Sequence, residues 1–116
     1  MKDHQDLSKL KNAYIQKCKE LEKTLSEYPG LVEDMAGKER AYLIAKAQSI
    51  LRLKKDGHPV TLIPDLAKGE AANHRFDFQV AEGVFNACRE NIKRIHANLD
   101  AYRSLLSTAK SEMGVR

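Results

Sequence analysis

Metal binding, nucleophilic attack and general acid–base work each need particular side chains at particular spacings. The chain supplies four histidines, His4, His58, His74 and His96, and two cysteines, Cys18 and Cys88. None forms an HExxH motif or a His-x-x-x-His pair, and no cysteine stands at zinc-ligand spacing, so no metal site or cofactor is expected. His74 shares a predicted helical face with Glu70 and with Asp77, a spacing typical of surface hydrogen-bonding pairs. Cys88 lies eight residues before His96, about two helical turns, but falls at an apolar seam position where a thiol packs as a small hydrophobe.

Serine or threonine catalysis needs a base beside the hydroxyl and an oxyanion-binding turn. Ser49, Ser104, Ser107 and Thr108 occupy helical stretches without such a turn. Glu33 and Asp34 precede a predicted helix, where they favour its N-terminal dipole. The short glycine-containing segments KDGHP, AKGEA and AEGVF match neither a Walker nor a GxGxxG pattern. The chemistry-bearing residues therefore point to no catalytic site, and we expect the chain not to be an enzyme.

The elements that would position these residues are helical. Leu7, Leu10, Tyr14, Cys18, Leu21, Leu25 and Tyr28 recur every three or four residues, predicting a helix over about 3–28. Pro29-Gly30 predicts its end. After a connector at 31–37, a second helix is expected over about 38–55, stopped by Gly57. Its residues Tyr42, Leu43, Ile44, Ala47, Ile50, Leu51 and Leu53 cover enough of its circumference for two contacting neighbours.

Residues 57–69, GHPVTLIPDLAKG, break the pattern and predict an irregular tip. Val60, Leu62 and Ile63 are expected to plug the end of the core, and Pro64-Asp65 suits the start of a short helical turn. From about 71 to 113 a third helix carries Phe78, Phe85, Ile92, Leu99, Leu106 and Met113 at intervals of seven. Ala81, Cys88, Ile95, Tyr102 and Ala109 stand at the complementary positions, a coiled-coil-like seam. Val84 and Leu105 widen it toward a second contacting helix.

The expected fold class is all-α. Residues 1–116 form a single helical domain, arranged as a long antiparallel helical hairpin or as a three-helix bundle. Leftover apolar surface predicts a homo-oligomer.

Composition sets the remaining bounds. The chain has 116 residues, 42% hydrophobic and 31% charged, with a formal net charge of +4. A polar N-terminus and short apolar runs give no expectation of a membrane partner and suggest a cytoplasmic protein. Residues 38–55 hold six cations, Lys38, Arg40, Lys46, Arg52, Lys54 and Lys55, against Glu39 alone. That basic helix permits salt-sensitive contact with nucleic acid, although Tyr42 is its one aromatic. Loops on rigid scaffolds often carry recognition. Lys54, Lys55, His58, Lys68 and Arg75, in and around the tip, are the expected partner-binding residues.

The run GHPVTLIPDLAKGE, followed by AEGVFNACRENIKRIHANLDAYRSLL, resembles small helical proteins encoded in the early regions of tailed bacteriophages and prophages. Those regions lie near genes for DNA recombination or single-strand annealing. The resemblance covers roughly residues 57–107, most of all Pro59, Val60, Leu62, Ile63, Pro64, Lys68 and Gly69. It implies a non-enzymatic accessory protein in a bacterial host cell, acting by protein–protein contact in recombination, replication or counter-defence. A nucleic-acid-binding module and a self-assembling structural protein are the alternatives.

Overall fold

The computed structural model describes residues 4–114, with side chains from Asp6 onward; the side chain of His4 lies outside the described residues. Those residues form three helices and no strand: α1 (His4–Lys55), α2 (Ile63–Glu70) and α3 (Ala72–Glu112). The all-α expectation holds.

The first correction concerns α1. The predicted break at Pro29-Gly30 and the connector at 31–37 do not exist, because one helix of 52 residues runs through both. Proline removes the N–H that would bond the Leu25 carbonyl and crowds that carbonyl with its ring, a local cost that α1 absorbs, since the proline φ is already helical. Side-chain burial continues through the gap: Tyr28, Leu31, Met35 and Tyr42 are all partly buried. A second correction is local. Leu25 was expected on the packed face, yet it is 47% exposed while Thr24 is buried. The Thr24 hydroxyl donates to the Glu20 carbonyl at 2.8 Å, which satisfies its polar group without water.

The end of α1 agrees with the sequence. Gly57 adopts φ +82, its N–H bonds the Lys54 carbonyl at 3.1 Å, and the His58 N–H bonds the Leu53 carbonyl at 3.1 Å. This is a Schellman stop, and the left-handed φ is why a glycine stands there.

The tip is more ordered than expected. Within it, only residues 57–62 lie outside a helix. Pro64 sits in the first turn of α2, where its missing N–H loses nothing, and Asp65 complements the helix dipole. Ile63 and Ala67, one turn apart, face inward and cluster with Leu53 and Ile50. Ile63 plugs the core as expected. Val60 and Leu62 do not, being 77% and 52% exposed, and Ala67 takes their place.

The described residues fall into two compact units. Unit 1 combines the chain up to Tyr28 with that from Ala87, and unit 2 is Pro29–Asn86. In unit 1, α1 and α3 run antiparallel: Arg103 reaches Tyr14, while Leu7 and Leu10 share a groove with Ala109 and Met113. In unit 2, α2 folds back on the end of α1.

All eleven heptad residues of α3 are buried or partly buried, and Ile95 is wholly so. Cys18 and Cys88 are free, partly buried thiols. The flanking positions differ from expectation. Val84 and Leu105 are 49% and 55% exposed, as are Leu43, Ile44 and Leu51 to similar degrees. The described chain supplies no second neighbour for those faces.

Candidate interaction surface

The five expected partner-binding residues all lie in unit 2 and are all exposed. Lys54 and Lys55 end α1, His58 stands in the stop turn, Lys68 is in the last turn of α2, and Arg75 is in the first turn of α3. Four of them, Lys54, Lys55, Lys68 and Arg75, make no ion pair among the described residues.

Arg52 behaves differently. It bonds Asp56 at 3.3 Å and the Glu70 carboxylate, tying the end of α2 to α1. The hydrogen bond from Arg52 holds the Glu70 carboxyl below its usual range, helped by the Ser49 hydroxyl. Glu70 in turn raises Arg52 above the ordinary guanidinium value. This pair closes the α1–α2 turn and leaves neither group free for a partner.

The basic segment does not form a stripe. Lys46 is on the packed side of α1 and partly buried, and Lys38 approaches Asp34 at 3.9 Å. Lys54 and Lys55 project about 100° apart, as successive helical residues must. Over the whole of unit 2, eight Lys or Arg residues meet eight Asp or Glu residues, so its formal net charge is zero. The local surplus read from residues 38–55 is cancelled by acids elsewhere in the same unit.

What unit 2 does display is apolar surface. Of thirteen exposed large hydrophobic residues described, ten lie in it. Leu43, Ile44 and Leu51 stand on α1; Val60, Leu62 and Leu66 on the turn and α2; Phe76, Val80 and Val84 on α3. Phe76, at 64% exposure, and Val80 lie outside both the heptad seam and the two flanking positions, Val84 and Leu105, to which the sequence pointed. The four-residue steps from Phe76 to Val80 to Val84 were the available signal for a second apolar face.

Unit 1 carries a different feature, a groove of about 530 Å³ between the start of α1 and the end of α3. Leu7, Leu10, Leu105, Ala109 and Met113 line it, with Asp6, Lys9, Thr108 and Glu112 also at its walls. Among the described residues, no three His, Cys, Asp or Glu side chains are placed to hold a metal ion. No described helix is long and apolar enough to cross a membrane.

No protein-family model, curated protein or solved structure matches the chain.

Proposed function

We propose that this is a non-enzymatic interaction protein that binds another protein through unit 2. The observation that carries the reading is the concentration of exposed large apolar side chains on a unit of zero net charge. Large exposed apolar patches mark contact sites, whereas apolar side chains exposed singly are ordinary. The tip adds specificity: unpaired Lys54, Lys55 and Lys68 stand near exposed Val60, Leu62 and Leu66, the mixture of apolar anchor and polar rim that protein interfaces use.

The biological setting we propose follows the sequence resemblance over residues 57–107. It is an accessory role in a phage or prophage, in the cytoplasm of the bacterial host, within recombination, replication or counter-defence. Direct nucleic-acid binding is the weaker reading, because phosphate tracking favours a continuous line of free cations and α1 spreads its own around the helix.

The test is affinity capture of the tagged chain from infected or native host cells, with and without nuclease, alongside a Val60→Asp/Leu62→Asp variant. A stoichiometric protein that survives nuclease and is lost from the variant supports the reading. Recovery of nucleic acid alone, released by moderate salt, replaces it with the nucleic-acid reading.

A further inference from the structure

Two features of α3 in unit 2 have no explanation within a single chain. Phe76 is 64% exposed, a large aromatic ring facing solvent. Gly83 lies mid-helix with ordinary helical φ, and a Cβ added to it would meet nothing within 4 Å. Neither backbone geometry nor intrachain packing requires a glycine there, as is also true of Gly30 and Gly37 in α1, and glycine costs about 1 kcal/mol relative to alanine in a helix interior; what sets Gly83 apart is Phe76 two turns before it on the same face.

The two residues are seven apart, so they occupy the same angular position, on the side of α3 facing away from the Phe78–Ala81–Phe85 seam. Gln79, Val80 and Asn86 flank them, and this outward strip carries no ionisable group, in a chain that is 31% charged. A solvent-facing helix of such a protein normally shows charge.

We propose that a second copy of this chain docks here, with the two α3 helices antiparallel about a two-fold axis beside Val80, so that each Phe76 packs over Gly83 of the partner subunit. A two-fold contact requires a surface complementary to itself. A knob and a hole on one face, two turns apart, meet that requirement, because an antiparallel partner presents them in reverse order.

The same register matches charge. At 1.5 Å per residue, Arg75 comes within about 3 Å along the axis of the position opposite Glu82 of the partner subunit, on the same edge, and symmetry repeats the pair. The two Arg75 residues stay roughly 13 Å apart along the axis. Arg75 and Glu82 are exposed and make no ion pair within the described chain. On the opposite edge the two Asp77 side chains come within about 7.5 Å of each other along the axis, a like-charge pair that the two Arg75–Glu82 pairs offset. The bare glycine lets the axes approach to the close end of the usual 8–10 Å. The uncharged strip, about 22 Å long and about 10 Å wide, offers roughly 220 Å² per partner, well under the about 800 Å² of a standard interface. The dimer is accordingly weak.

This inference rests on reading unit 2 as an interaction surface, but its readout is separate from partner capture. Sedimentation velocity on the full chain, from about 1 to 500 μM, should show a reversible monomer–dimer equilibrium. Gly83→Leu fills open space in the monomer, so helicity and melting temperature persist while dimerisation weakens by at least about tenfold. Arg75→Glu and Glu82→Arg each weaken it by roughly threefold to tenfold, and the double reversal restores it. A wild-type chain that is monomeric throughout overturns the dimer and leaves the capture result standing. A dimer indifferent to Gly83→Leu overturns the interface. Loss with Gly83→Leu but no rescue by the double reversal overturns the register.

Discussion

Arg52 near the end of α1 and Glu70 at the end of α2, eighteen residues apart, are joined by a hydrogen-bonded ion pair. It bridges the short helix to α1 beside the buried cluster of Leu53, Ile63 and Ala67.

That pair gives α2 a pH dependence. The Glu70 carboxyl titrates lower in the folded chain than in the unfolded one, chiefly because Arg52 donates to it. A depressed carboxyl contributes stability fully above its unfolded value and loses it as pH falls through the folded value. Urea midpoints for wild type and Glu70→Gln should therefore differ slightly at neutral pH and converge in acid, below the ordinary carboxylate range. An equal difference at all pH values would mean that the charge plays no part.

Ile95 is the largest fully buried side chain. Ile95→Ala should cost about 2–5 kcal/mol in urea denaturation, and Ile95→Asp more, since it places an unpaired charge in the seam. Val60→Asp, at a position 77% exposed, is the control and should stay within about 0.5 kcal/mol of wild type. If Ile95→Asp melts like the control, unit 1 is not packed along this seam.

The uninterrupted α1 can be tested through its least helical residues. Pro29→Ala restores a donor to the Leu25 carbonyl and should stabilise the chain by about 2 kcal/mol, after allowance for the freer unfolded state. Gly37→Ala, where an added Cβ meets nothing within 4 Å, should add roughly 0.5–1 kcal/mol. Calorimetry showing destabilisation by both would restore the break predicted between residues 29 and 37.

Ala67 is wholly buried between α2 and α1. Ala67→Leu overfills that contact and should cost about 1–3 kcal/mol, read locally as faster amide exchange across residues 63–70. Uniformly accelerated exchange would instead mean that α2 unfolds only with the whole chain.

Much of this was written in local patterns. The seven-residue repeat from Phe78 to Met113 specified which face of α3 would be buried, because an apolar stripe at that period has one low-energy orientation. Gly57 specified where α1 stops, since the left-handed turn there favours glycine. Pro64-Asp65 foreshadowed α2, though not its eight-residue length.

Other features were decided by contacts between distant residues. Pro29-Gly30 reads locally as a stop, yet Tyr28, Leu31, Met35 and Tyr42 keep one side of α1 partly buried through it, and that packing outweighs the local cost of the proline. Charge was partly similar: residues 38–55 look basic in isolation, and while Asp34 and Asp56 answer Lys38 and Arg52 from one turn away, Glu70 reaches Arg52 from eighteen residues on. Periodicity within one helix thus determined which residues turn inward and where glycine ends a helix, because those are short-range effects of backbone geometry. Only the tertiary structure decided whether Pro29 breaks α1, which cations remain unpaired, and which apolar faces are left uncovered, because each depends on neighbours that sequence distance does not reveal.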